Sequence, residues 1–329
     1  MTAKRCLVTG GAGFIGSHLT ERLLADGHHV TVLDNLETGS WANLKPVEGH
    51  TRLRLIEDSI HSSSLPNYFD GIDRVFHLAA LADIVPSVED PLRYHKANVE
   101  GTINVLEASK EAAVQRFVYA ASSSCYGIPT RYPTPEGAPA QPMYPYALTK
   151  CVGEQYVMHW SQVYGLPAVS LRLFNVYGPR SRTSGSYGAV FGVFLAQKLA
   201  GKPFTIVGDG AQTRDFTYVT DVADAFARAA DSALCGEIMN VGSGSTTSIQ
   251  RLCELLEGPV TYIPKRPGEP NCTFADTRKI EELLGWKAQV PFAEGVRRML
   301  EGIEGWRSAP VWEPASIAVA TEKWFACLG

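Results

Sequence analysis

Arg5-Cys6-Leu7-Val8-Thr9-Gly10-Gly11-Ala12-Gly13-Phe14-Ile15-Gly16 passes from an apolar run straight into a glycine-rich turn. The run Arg5–Thr9 reads as a short buried strand. An amphipathic helix follows, with Ile15, Leu19, Leu23 and Leu24 on one face, and Gly27 ends it. A second apolar strand, His29–Leu33, stops at Asp34, 18 positions beyond Gly16. Strand, glycine turn, helix, strand and acid in this order make a unit that holds a dinucleotide. Gly10, Gly13 and Gly16 let the backbone turn tightly and approach a pyrophosphate, which the helix N-terminus at Phe14 and Ile15 stabilises. Asp34, with Asn35 beside it, can accept hydrogen bonds from an adenosine ribose. A carboxylate there repels a 2′-phosphate, and no arginine follows until Arg52, so the expected cofactor is NAD and not NADP.

Outward from this unit the alternation continues. Arg52–Glu57 is a strand leading to Asp58-Ser59-Ile60, and Arg74–Leu78 is a buried strand followed by the small residues Ala79-Ala80. A long helix from Pro91 to about Ala113 carries Asn98. The strand Arg116–Ala121 runs into Ser122-Ser123-Ser124. A helix then runs to about Tyr164, where Gly165 and Pro167 stop it, and Ala168–Leu173 is the next strand. Strands alternating with helices predict an α/β fold built on a doubly wound parallel sheet of Rossmann type. Past Leu173 the alternation loosens. Helices are expected at Phe191–Leu199, at Asp221–Ser232 with Asp221 as N-cap, at Ser248–Leu256, and from an Asp276 cap to Leu284. Strands are expected at Pro203–Val207 and Ile238–Val241. The expected organisation is a dinucleotide-binding domain over 1–175, a smaller α/β substrate lobe over 176–309 with segments returning to the first domain, and an apolar extension over 310–329.

Composition narrows the class. Thirty basic against 34 acidic residues, with no basic run, argue against nucleic acid or an anionic membrane as the main partner. No apolar run is long enough to span a bilayer, and the glycine turn follows the N-terminus too closely for a cleavable signal. The seven cysteines form no C-x-x-C pair. They and the scattered histidines predict reduced thiols, a cytoplasmic setting and no metal.

Chemistry concentrates in Tyr146-Ala147-Leu148-Thr149-Lys150. A Tyr and a Lys four positions apart share one helix face. A neighbouring ammonium lowers the phenol pKa, and an oxidised nicotinamide beside it makes the phenolate a usable general base. A hydroxyl at the carboxyl end of a parallel strand, here one of Ser122, Ser123 and Ser124, points into the crevice where such sheets bind ligands and can share a proton with the tyrosine.

The G-x-x-G-x-x-G spacing together with Y-x-x-x-K resembles the extended branch of the short-chain dehydrogenase/reductase superfamily, and within it the UDP-hexose 4-epimerases. The resemblance spans roughly residues 4–307. It implies C4 epimerisation through a transient 4-keto sugar, with hydride passing to bound NAD and back, and a homodimer through two helices per subunit. It places Asp58, Ser59 and Ile60 beside the adenine, and Leu78, Ala79 and Ala80 near the nicotinamide-side ribose. Asn98 helps to hold Lys150 through water. Ser122 falls at the active-site hydroxyl, with Ser123 and Ser124 against the substrate; dehydratases of this branch carry Asp-Glu at those two places. The phrase Phe174-Asn175-Val176-Tyr177-Gly178-Pro179-Arg180 gives Asn175 to the substrate diphosphate. Val190, Thr205 and Ile206 fall near the nucleotide. Arg214 contacts it from an R-D-F motif, with a surface Arg214–Asp215 pair as the plainer alternative. In Arg266-Pro267-Gly268-Glu269, Arg266 grips the diphosphate and Glu269 a ribose hydroxyl. Thr273 stands where glucose/galactose-restricted epimerases can carry a bulky aromatic. That small residue, and the loop Thr183–Gly188, lean towards UDP-N-acetylglucosamine and/or UDP-glucose. UDP-glucuronate is the alternative, with other sugar-nucleotide enzymes of the branch and a silent NAD-binding sensor behind it.

Overall fold

The apolar runs become parallel strands because both of their faces are covered. The computed structural model describes residues 2–181 and 188–329. Its first half comprises β1 (Arg5–Thr9), α1 (Phe14–Ala25), β2 (His29–Asp34), β3 (Leu53–Glu57), β4 (Arg74–His77), α2 (Ile84–Glu89), α3 (Pro91–His95), α4 (Gly101–Glu111), β5 (Arg116–Ser122), α5 (Pro145–Tyr164) and β6 (Ala168–Leu173). The second half comprises β7 (Val176–Tyr177), α6 (Val190–Leu199), β8 (Phe204–Val207), β9 (Thr213–Arg214), β10 (Thr217–Tyr218), α7 (Val219–Asp231), β11 (Glu237–Val241), β12 (Thr247–Ser248), α8 (Ile249–Leu256), β13 (Val260–Ile263), α9 (Arg278–Leu284), α10 (Phe292–Glu301) and α11 (Pro314–Leu328).

A seven-stranded sheet runs β11-β6-β5-β4-β1-β2-β3, parallel throughout. The chain fills the β1-β2-β3 side first and then crosses to β4, so strand order reverses between β1 and β4. The crevice outside the carboxyl ends at such a reversal is where open α/β sheets hold ligands. One face is covered by α1 and α7, through Leu19, Leu23, Val222 and Phe226. The other is covered by α4 and α5, through Val105, Leu106, Val157 and Trp160. Each fully buried large apolar side chain contributes roughly 2 kcal/mol. The turn after β1 works only with glycine: Gly10 has φ +71°, and a Cβ on Gly16 would lie 2.1 Å from the Gly10 carbonyl oxygen.

The smaller lobe is built on the parallel pair β8–β13 under α6, α8 and α10, with Phe194, Phe204, Leu252 and Met299 at its centre. A late strand, β11, lies in the large sheet beside β6.

Three expectations change in detail. The long helix forms, but Lys96–Glu100 within it is a π-helical turn that carries Asn98. Asp221 is no N-cap: α7 begins at Val219, and the Asp221 carboxylate accepts instead from the Gln289 (3.0 Å) and Val290 (2.9 Å) amides, tying α7 to the chain before α10. Thr277, not Asp276, precedes α9, although Asp276 still accepts from the Arg278 amide at 3.2 Å. The extension over 310–329 folds as α11. All seven cysteines are unpaired, and among the described residues no helix is long and apolar enough to cross a membrane.

Candidate active site

A cleft of about 1120 Å³ opens over the strand ends between the sheet and the smaller lobe. One side, that expected to take the cofactor, is lined by Gly10, Gly13, Phe14, Ile15, Gly16, Asp34, Asn35, Asp58, Ser59, Ile60, Leu78, Ala79 and Ala80. No side chain caps α1 at Gly13 and no acid stands in its first turn, so an electropositive helix end faces the cleft. Asp34 is buried and accepts from the Ala12 amide (3.0 Å) and the Leu36 amide (2.9 Å). Burial pushes its carboxyl up, and those two amides oppose the shift. The acid therefore braces the glycine turn as well as closing the cleft. Asp58 is held below the usual carboxylate range by the Tyr68 hydroxyl and the Ser59 amide. A pyrophosphate suits the uncapped helix end and a ribose suits the acid at the end of β2, so these residues fit a dinucleotide.

Asn98 is buried away from the cleft surface. Its amide donates to the Leu81 carbonyl (2.9 Å) and Thr149 Oγ1 (3.0 Å) and accepts from the Leu81 amide (2.8 Å). The residue thus joins the turn after β4 to α5 one position before Lys150. Below it, His77 bonds Thr9 Oγ1 at 2.7 Å and Thr102 Oγ1 at 3.0 Å, and burial pushes it down to about 3, so it is neutral.

Pro145 starts α5 and delivers Tyr146 to the cleft with Lys150 buried behind it. Burial pushes the Tyr146 phenol up, while a hydrogen bond with Ser122 pulls it back. Lys150 Nζ stands 4.3 Å from the centre of the Tyr119 ring, and burial pushes it down to about 7, with Glu154 one turn on favouring its charged form. The expected lowering of the tyrosine by lysine is not seen: burial raises the phenol, and it is Ser122 that opposes the rise. The serine run is sorted by geometry. All three line the cleft with Tyr146; Ser122 opposes the rise of the tyrosine's phenol, and Ser124 Oγ lies 2.8 Å from Ser122 Oγ.

The opposite end is made of side chains from distant segments. Arg214 Nη2 pairs with Glu269 Oε1 at 2.9 Å, and Arg266 stands 3.8 Å from Glu269 Oε2. That Oε2 is buried and accepts no hydrogen bond. The alternative Arg214–Asp215 surface pair does not form: Asp215 is fully buried and accepts from Ser243 and from the Ala275 amide. Asn175 has φ +22°, in the left-handed region asparagine tolerates, and its Oδ1 accepts from Thr273 Oγ1 at 2.6 Å. Thr273 also accepts from the Asp215 amide at 3.1 Å. Val190 and Thr205 line the cleft, whereas the Ile206 side chain turns into the lobe core and does not. Most of the expected loop Thr183–Gly188 lies outside the described residues.

The sequence profile of the NAD-dependent epimerase/dehydratase family matches residues 6–242. The chain belongs to that family. Its cofactor is NAD. It is 39% identical over 306 residues to a UDP-glucose 4-epimerase of Mycolicibacterium smegmatis, covering 90% of this chain and 97% of that one. Among solved structures it is similar to the UDP-N-acetylglucosamine 4-epimerase of Methanobrevibacter ruminantium (35% identity, TM-score 0.87, 93% of this chain and 98% of that one). It is also similar to the UDP-glucuronic acid 4-epimerase of Bacillus cereus bound to UDP-glucuronic acid and NAD (33%, TM-score 0.85, 91% and 99%).

Sequence reasoning missed what supports the family's site from behind. Arg180, at the end of the Phe174–Arg180 phrase, turns back to pair with Glu21 on α1 and donates to the Asn43 carbonyl, both at 2.8 Å. Arg172 and Glu154 form a buried ion pair beneath α5, with Ser170 donating to Glu154 at 2.8 Å. Glu154 follows Lys150 by one turn and could have been singled out on that spacing. Nothing in the sequence pairs it with Arg172.

Proposed function

We propose that this protein is an NAD-dependent 4-epimerase of a UDP-hexose. The observation that carries the reading is one cleft in which Tyr146 and Ser122 stand between a dinucleotide-fitting end and an arginine-bearing end. Tyr146 takes the proton of the sugar 4-hydroxyl and returns it, with Ser122 sharing the proton on the way. NAD, when bound by the glycine turn, Asp34, Tyr146 and Lys150, supplies reversible hydride acceptance at C4, so net redox is zero. Lys150, poised near neutrality by burial, regains its charged form by donating to cofactor ribose hydroxyls. Arg214 and Arg266 neutralise the diphosphate, Asn175 donates to it, and the free Glu269 Oε2 accepts a ribose hydroxyl. Firm hold of the nucleotide with no charged grip on the hexose lets the sugar turn over between the two proton transfers. Ser123 and Ser124 offer no carboxyl pair for removing water, which speaks against dehydration.

For the sugar, Thr273 supports UDP-N-acetylglucosamine and/or UDP-glucose/galactose, since a small side chain leaves room beside Asn175. UDP-glucuronate is the second reading, on the same small residue and the Bacillus cereus relative. The reading includes a homodimer through two helices per subunit, in keeping with Leu148, Val163 and Tyr164 left exposed on α5; light scattering at the mass of one chain would remove it. The main test uses purified protein without added NAD, given UDP-glucose, UDP-N-acetylglucosamine and UDP-glucuronate separately, with the anomeric proton followed by NMR. A 4-epimer signal from one of them is expected and names the sugar. No change with any of the three would overturn the epimerase reading.

A further inference from the structure

The stretch 310–329 has no part in the reading above, yet α11 reaches the cleft. Its N-terminal half belongs to the smaller lobe: the Trp312 carbonyl accepts from Gln197 Nε2 at 2.7 Å, and Ile317 is buried in the lobe core. Further along, α11 leaves the lobe and packs on α2, which follows the turn that carries Leu78, Ala79 and Ala80. The helix therefore bridges the two sides of the cleft.

Trp324 is the residue placed at the crossing. It is buried at 3% exposure and lines the cleft. Its indole N–H donates to the Pro267 carbonyl at 2.8 Å, and the Arg266 guanidinium stands 5.7 Å from its ring centre. On its other side the Tyr144 ring lies 6.3 Å away, and Tyr144 in turn stacks on Tyr146 at 6.3 Å and 11°. One aromatic side chain thus sets both the arginine facing the diphosphate and the tyrosine packed against the base. An indole face attracts a guanidinium, and a fixed carbonyl partner fixes the ring. We infer that Trp324 is a positioning residue of the substrate site, and that α11 is a wall of that site which holds the nucleotide grip at a set distance from Tyr146. The inference rests on the UDP-hexose reading.

The test compares full-length NAD-bound wild type, Trp324→Ala and Trp324→Phe. UDP affinity is measured by calorimetry, NAD content on the denatured protein, and kcat and KM with the sugar identified above. Trp324→Ala should weaken UDP about tenfold or more, raise KM and lower kcat, with NAD content unchanged. Trp324→Phe, which keeps a ring but loses the donor to Pro267, should fall between the two with kcat near wild type. A general structural defect would lower NAD content together with UDP binding, and that outcome overturns the assignment. So does UDP binding and turnover equal to wild type in Trp324→Ala. Should Trp324→Ala fail to fold, Trp324→Phe decides: unchanged UDP affinity overturns the assignment. A wild type that does not bind UDP overturns the UDP-hexose reading itself, and this inference with it.

Discussion

The glycine-turn end of the cleft, proposed for the cofactor, is made of backbone and strand ends, whereas the arginine-bearing end, proposed for the nucleotide, is made of charged side chains from segments far apart in the chain. At the first end Gly10, Gly13, Gly16 and Asp34 fall within one strand-helix-strand unit, and the carboxylate is satisfied by amides of that same unit. At the second, Asn175, Arg214, Glu269 and Thr273 meet only after the smaller lobe has folded, and hold one another through an ion pair and a hydrogen bond. The first end is set by local geometry and tolerates no added atom. The second is set by charge balance and should tolerate volume better than loss of charge. The Tyr146–Ser122 pair stands where the two meet.

The largest effect is expected at that meeting point. Tyr146→Phe should lower kcat about 10³-fold, the order of a lost general base, while UDP affinity stays unchanged and NAD is retained by the glycine turn, Asp34 and Lys150, which keep their hold without the phenol hydroxyl. Loss of either ligand together with activity would show that the tyrosine holds the site together and does not act in it.

Arg214→Met should act on the nucleotide end alone. A charge-assisted grip on a phosphate is worth roughly 2–3 kcal/mol, and the change leaves Glu269 with only Arg266. KM for the UDP-sugar should rise about 30-fold or more with NAD content kept. Equal loss of NAD would break the separation between the two ends.

Gly16→Ala is the converse. Its Cβ would stand 2.1 Å from the Gly10 carbonyl oxygen, an overpacking cost of about 1–3 kcal/mol. NAD content should fall sharply while UDP affinity, measured by calorimetry on the folded fraction, stays near wild type.

The smallest effect concerns the floor of the cofactor end. His77 is pushed from an ordinary 6.5 down to about 3 by burial. Between those values the unfolded chain binds a proton that the folded one does not. Stability should therefore fall as pH drops below about 6.5, by up to about 1.4 kcal/mol per pH unit. His77→Gln should flatten that slope in urea midpoints taken between pH 7 and pH 5. An unchanged slope would mean that other groups govern the acid side.

The sequence by itself determined the glycine turn, the Tyr146–Lys150 spacing and the sheet, because each rests on short-range spacing. The run from Arg5 to Asp34 carries its own turn chemistry, Tyr146 and Lys150 are one helical turn apart, and the doubly apolar strands can only be buried between layers. Tertiary structure alone decided the rest. It turned Asp221 from a cap into a tie between helices, paired Arg214 with Glu269 and not with Asp215, and brought the three adjacent serines and Tyr146 to one cleft. It also carried Trp324, near the end of the chain, to Arg266 and Tyr144. Such partners are separated by tens to hundreds of positions, and side-chain charge and hydrogen bonding carry no record of sequence distance. Which acid meets which arginine is fixed only when the two sides of the cleft close on each other.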